Sequence, residues 1–189
     1  MKKVVFSGLL LASFWSCQSK KNYKSEAETF LTKYSKEYQK LYTASAEAEW
    51  ASNTKIIEGD SSNAIATRKA NEAYAAFTGS KENIQQLQSL LQHKEELDEI
   101  QVKQLETALR AAANNPQTVA GLVKSRIKAE TEQSEKLYGF DYKLNGKSVT
   151  TNQIDEILRT ETDPEKRLQA WQASKEVGTV LKTGLVNLR

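Results

Sequence analysis

Apolar residues recur along most of this chain at steps of three and four, the period of a helix that buries one face. From about Glu26 to Asn53, Phe30, Leu31, Tyr34, Tyr38, Leu41 and Tyr42 keep that step, and Ala44, Ala46, Ala48 and Ala51 add helix propensity. One long amphipathic helix is predicted. Glu58 to Ser62 breaks the pattern, and Asp60 or Ser61 stands where it can cap a second helix carrying Ile65, Ala70, Ala73, Tyr74 and Phe77. Thr78-Gly79-Ser80 interrupts again. Ile84, Leu87, Leu90 and Leu91 mark a third helix, while Leu97, Ile100, Leu105, Ala108 and Leu109 mark a fourth, or a continuation of the third past His93. Asn114-Asn115-Pro116 stops that run. A fifth helix is predicted from about Gln117 to Tyr138, with Val119, Leu122, Val123 and Ile127 on one side and Gly139 as its end.

The period then changes from helix to strand. Phe140, Tyr142, Leu144, Ser148 and Val149 flank Asn145-Gly146, the dipeptide that best supports a tight two-residue β-turn. A small hairpin is therefore expected near 140–149. Thr151 or Asn152 is the candidate cap of a short helix with Ile154, Ile157 and Leu158, and Asp163-Pro164 supplies an N-cap and a first-turn proline for another. Leu168, Trp171, Val177, Leu181, Leu185 and Leu188 continue down that last helix to Arg189. An apolar stripe reaching the final residues gives the expectation that the chain is cut in mid-domain. The fold class predicted is all-α, mainly helical, with one small hairpin.

The first residues have another character. Lys2 and Lys3 precede Val4, Val5, Phe6, Leu9, Leu10, Leu11 and Phe14, a basic segment followed by an apolar one too short to span a bilayer. A small residue, Ser16, then precedes Cys17, as at the cleavage site before a lipid-modified cysteine. Residues 1–16 are expected to be a lipoprotein signal peptide, Cys17 the lipidated mature N-terminus, and 17–25 a polar tether. Each buried methylene of an acyl chain contributes about 0.8 kcal/mol, so lipid rather than charge would hold the protein to a membrane.

Charge and composition narrow the rest. With 27 Lys and Arg against 24 Asp and Glu, interspersed throughout the 189 residues, no basic stripe exists to follow a phosphate backbone. Nucleic acid is not expected as a partner. One Cys excludes an internal disulfide framework, and one His excludes any site needing two imidazoles.

Three segments, in order, carry a family resemblance. Trp50-Ala51-Ser52-Asn53-Thr54-Lys55-Ile56, after a long helix, resembles the Trp-x-x-Asn-Thr-x-Ile segment of the angiotensin-converting-enzyme-like zinc peptidyl-dipeptidases. Leu137-Tyr138-Gly139-Phe140, leading to the Asn145-Gly146 turn, resembles the segment after that family's helical lid. Ile154 to Leu188, above all Asp163 to Trp171, resembles its next helix pair. The closest type is the bacterial, lipid-anchored one, which implies a cell-envelope location facing the periplasm or the exterior. The resemblance implies that residues 26–189 are the helical lid and channel wall at the N-terminal side of an all-helical, zincin-like peptidase domain. It also implies a peptide substrate from whose C-terminus dipeptides are released.

The family holds zinc with H-E-x-x-H and a downstream Glu: two imidazoles on one helix face, with a Glu to polarise the bound water. None of these ligands is in this chain, and His93, within Gln92-His93-Lys94-Glu95-Glu96, is expected to be a solvated residue on a helix face. The expectation is a zinc enzyme whose catalytic residues lie elsewhere, leaving this chain inactive alone. Many members also hold chloride with a Trp and an Arg four residues on; the matching pair is Trp171 and Lys175. Lys175 keeps the charge but not the planar fork of Arg, and the alternative is a core Trp beside a solvated Lys. Two other readings stand beside the peptidase. One is a complete lipid-anchored helical binding or scaffold protein of the cell envelope. The other is a membrane-surface helix using Phe30, Tyr34, Tyr38 and Tyr42, which Glu26, Glu28 and Glu37 on the same helix oppose.

Overall fold

A computed structural model describes residues 21–56 and 60–189. The expected signal peptide and Cys17 lie outside the described residues. Among the described residues, eight α-helices and one hairpin follow in the order α1 (Tyr23–Thr54), α2 (Ser62–Thr78), α3 (Lys81–Leu91), α4 (Glu99–Ala113), α5 (Ala120–Tyr138), β1 (Tyr142–Leu144), β2 (Lys147–Val149), α6 (Thr151–Thr160), α7 (Pro164–Lys175) and α8 (Gly178–Asn187). No described helix is long and apolar enough to cross a membrane.

Helix α1 starts earlier than its apolar pattern. Asn22 caps it by accepting from the Ser25 backbone N–H at 3.1 Å, so Tyr23, Lys24 and Ser25 are helical rather than tether. Its first turn is tied to the start of α4: Lys24 Nζ lies 2.8 Å from Asp98 Oδ1, and Gln101 Nε2 donates to the Lys24 carbonyl at 3.0 Å. Along the helix, Ala27, Leu31 and Tyr34 enter the main core with Leu87 and Leu90 of α3 and Leu105 and Ala108 of α4. Leu87 and Leu105 are fully buried, each worth roughly 1.5–3 kcal/mol relative to exposure.

The third and fourth helices are separate. A 3₁₀ turn at Lys94–Glu96 joins them, and α4 begins only after Asp98, whose backbone N–H donates to Gln101 Oε1 at 3.1 Å. Rotation of α4 about that start buries Gln101, Leu105, Ala108 and Ala112 and turns Ile100 out to 71 % exposure, against the expectation from its apolar character. Val119 and Leu122 are likewise exposed, because α5 packs on α2 through Val123 and Ile127 with Ala75.

The C-terminal third has its own small core. Strands β1 and β2 pair antiparallel with Leu144 opposite Lys147, and Asn145 and Gly146 between them take φ of 53° and 77°. Two successive left-handed residues make the mirror-image turn whose twist matches a hairpin. Tyr142 packs with Ile154 of α6 and Ala170 and Ala173 of α7. The α6 cap is Thr150, one residue before Thr151 and two before Asn152: its hydroxyl accepts from the Gln153 backbone N–H at 3.2 Å, while Gln153 Oε1 accepts from the Thr150 N–H at 2.8 Å. Asp163 and Pro164 begin α7 as their chemistry predicts.

The single long terminal helix is replaced by two. Bonds from Glu176 N–H to the Ala173 carbonyl at 3.2 Å and from Thr179 N–H to the Glu176 carbonyl at 3.0 Å tighten the chain between α7 and α8. The two halves answer to different partners: α7 buries Ala170 and Ala173 against the hairpin, whereas α8 lies on α5. Gly184 permits that contact, since a Cβ there would stand 1.8 Å from Gln133 Nε2. Leu181 is buried, but Leu185 remains 54 % exposed, so the apolar stripe is only partly covered.

Candidate functional site

Two clefts run along the side where α1, α2 and α5 meet. The first, of about 510 Å³, is lined by Ser52, Lys55 and Ile56 of the α1 end, by Asp60, Ser61 and Asn63 at the start of α2, and by Glu135, Tyr138, Gly139 and Asp141. Two of the three segments that carry the resemblance therefore meet in one place, although more than eighty residues separate them. Asn63 Nδ2 donates to the Lys55 carbonyl at 2.9 Å, which ties α2 to the end of α1. Ser61 Oγ donates to Glu135 Oε1, which ties α2 to α5. The Ser62 backbone N–H donates to Asp60 Oδ1 at 2.8 Å and holds that carboxyl below its ordinary range, with the Ser62 side chain adding to the effect. Trp50 is not part of this core; it projects 71 % exposed from α1.

The second cleft, of about 700 Å³, has a floor of hydroxyls and amides. Tyr42 and Tyr74 face one another edge to face at 6.3 Å, and Tyr74 Oη donates to Tyr38 Oη at 3.2 Å. Burial, then that hydrogen bond, pushes the Tyr74 phenol well up, so it stays a neutral donor. Asn71 accepts from Ser45 Oγ and donates to Glu49 Oε1 at 3.0 Å. Opposite, Arg126 lies 3.0 Å from both oxygens of Glu130 and donates through Nη2 to Asn115 Oδ1 at 2.9 Å and to the Asn114 carbonyl at 3.2 Å. The guanidinium is thus compensated by one carboxylate and fixed by two amide oxygens. Asn115 in turn donates to Thr78 Oγ1 at 3.2 Å, so the wall is continuous with the end of α2.

Sequence reasoning did not single out Arg126, Asn71 or Tyr74 as site residues. The Arg126–Glu130 spacing of four was a visible sign of an ion pair on one helix face. Its convergence with Asn115, eleven residues earlier, depends on the turn between α4 and α5 and had no local sign.

His93 is neither on a helix face nor among metal donors. It occupies the turn after α3, with its ring stacked on Tyr23 at 3.5 Å and Nδ1 3.6 Å from Glu96 Oε1. A ring held flat against a tyrosine braces the start of α1. Among the described residues, no three His, Cys, Asp or Glu side chains converge as a metal site would require. The donor set of the described residues does not fit a catalytic zinc. Trp171 and Lys175 do meet on α7, with Lys175 Nζ 5.6 Å above the indole ring. Trp171 is 51 % exposed, so the alternative of a core Trp is corrected: both partners face outward.

The family model for angiotensin-converting enzyme matches residues 21–187 of the chain. No curated protein and no solved structure matches it.

Proposed function

The chain belongs to the angiotensin-converting enzyme family of peptidases, and from that premise we propose that it forms the lid and channel wall of a zinc peptidyl-dipeptidase that releases dipeptides from peptide C-termini. The observation that carries this reading is the family match across residues 21–187 in a chain with a single histidine. A site needing two imidazoles cannot be assembled from it, so the zinc ligands come from polypeptide outside residues 1–189. The contribution of this chain is then shape and hydrogen bonding. The hydroxyls and amides of Tyr42, Tyr74, Asn71 and Asn114 suit the alternating donors and acceptors of an extended peptide.

The same reading places the protein at a bacterial cell envelope, anchored through lipid on Cys17 and facing the periplasm or exterior. The basic and apolar start of the chain supports it. Chloride at Trp171 and Lys175 belongs to the proposal as well; outward-facing neighbours on α7 would meet an anion only with a further covering element.

Purified residues 17–189 are expected to hold no stoichiometric zinc and to release no dipeptide from a C-terminally labelled peptide, as read by metal analysis and a release assay. One tightly held zinc per chain, lost in His93→Ala, overturns the reading. Cys17→Ala is expected to move the full chain from the membrane to the soluble fraction. Unchanged membrane association with a free Cys17 thiol overturns the anchor.

A further inference from the structure

We infer that Asn145 is a modification site gated by the hairpin: it deamidates to aspartate and isoaspartate when the hairpin opens and is protected while the hairpin is closed. The sequence Asn145-Gly146 has the least hindered following residue a chain can offer, and both residues are exposed at the tip of the turn. In the reaction the Gly146 backbone nitrogen, losing its proton to solvent base, attacks Asn145 Cγ. The new C–N bond closes a five-membered succinimide, the Cγ–Nδ2 bond breaks, and ammonia leaves. Water then opens the ring at either carbonyl, giving aspartate or isoaspartate with no change of oxidation state.

Ring closure requires the Gly146 nitrogen and Asn145 Cβ to come nearly eclipsed about the Cα–C bond. The turn forbids this. With φ of 53° and 77° at the two residues, the backbone is the mirror image of a type I turn, whose first central residue has ψ of about +30°. That ψ sets the attacking nitrogen nearly opposite Cβ. Pairing of Leu144 with Lys147 and of Tyr142 with Val149 holds the turn in place. On one face of the hairpin, Lys143 Nζ donates to Ser148 Oγ at 2.7 Å and lies 2.5 Å from Asp141 Oδ2. On the other, Tyr142 is buried against Ile154 and Ala170. Reaction therefore waits on loss of these contacts, and its product makes the loss permanent. Isoaspartate routes the main chain through Cβ, lengthening a two-residue loop by one carbon, which the Leu144–Lys147 register cannot accept.

The full chain incubated at pH 8, with peptide mapping and labelling by an isoaspartate-directed methyltransferase, tests this. Conversion at Asn145 is expected to be slower by about tenfold or more in buffer than in urea, a tenfold factor corresponding to about 1.4 kcal/mol of local opening. Tyr142→Ala, which removes the anchor of β1, is expected to bring the rate in buffer toward that in urea. Gly146→Ala, which crowds the attacking nitrogen, is expected to slow conversion in urea as well. Equal rates in buffer and urea overturn the gating, and absence of isoaspartate at 145 in urea overturns the site.

Discussion

The helical body of α1 to α5 and the smaller unit of hairpin, α6 and α7 differ in how far apart in sequence the residues lie that join their elements. In the body, a 32-residue helix is met by shorter ones, and the joints between them are made by residues distant in sequence. Gly79 lies against Asn115, and Arg126 gathers Asn114 and Asn115. In the smaller unit, every element begins with its own local signal: Asn145-Gly146 for the turn, Thr150 with Gln153 for α6, Asp163-Pro164 for α7. Local caps also start α1 and α4, at Asn22 and at Asp98 with Gln101, but what sets the body's helices against one another is contacts far apart in sequence. A wall that must shape a cleft from three helices has to be joined in this way, since no single segment spans it.

The largest expected effects test whether the two regions are separable. Leu87→Ala in the body and Ile154→Ala in the smaller unit should each cost about 2–5 kcal/mol, the range for emptying a buried aliphatic site. Hydrogen exchange should show Leu87→Ala loosening α1, α3 and α4, with Ile154→Ala loosening mainly residues 140–175. Equal loosening everywhere in both variants would mean one undivided cooperative unit.

Glycines sharpen the contrast at the next size. A Cβ at Gly79 would stand 1.6 Å from the Asn115 carbonyl oxygen, so Gly79→Ala must shift backbone against backbone and should cost about 1–3 kcal/mol or more. Gly146 has open space about it, and its φ of 77° alone penalises a side chain, by about 1–2 kcal/mol. Urea unfolding should rank Gly79→Ala as the more damaging; the reverse order would place the cost in local conformation in both regions.

Thr150→Ala removes a cap and should cost about 1 kcal/mol, confined to α6 in hydrogen exchange. A cost spread into α1 would break the claim that local signals build the smaller unit.

Tyr34 gives the smallest change and the most diagnostic one. It is only 7 % exposed and, among the described residues, its hydroxyl is buried without a hydrogen-bond partner. Tyr34→Phe should therefore be neutral or stabilising by up to about 1 kcal/mol, because an unpaired polar group is removed while the ring stays. Burial, with the neighbouring Tyr38 adding to it, pushes its phenol from 10.0 up to about 12. A raised folded value means that stability is intact below pH 10 and falls as the pH rises toward 12, since the unfolded chain loses the proton first. Alkaline melting of Tyr34→Phe should show a smaller loss over that interval than the parent. A destabilised Tyr34→Phe would reveal a partner for the hydroxyl.

The period of apolar residues by itself determined the all-helical class, the long first helix and most of the buried apolar residues, because burying one face of a helix requires that spacing. It also determined the hairpin, since two left-handed residues in succession are cheap almost only at a dipeptide such as Asn-Gly. Family resemblance was legible in three segments. Only the tertiary structure brought Ser52, Lys55 and Ile56 into one cleft with Tyr138 and Gly139, turned Ile100 and Leu122 outward, and set His93 flat on Tyr23. It also parted α7 from α8, whose faces meet the hairpin and α5 respectively. The physical reason is common to all four. Helical period states that a face will be buried, but which neighbour covers it, and at what rotation, follows from the packing of elements far apart in the chain.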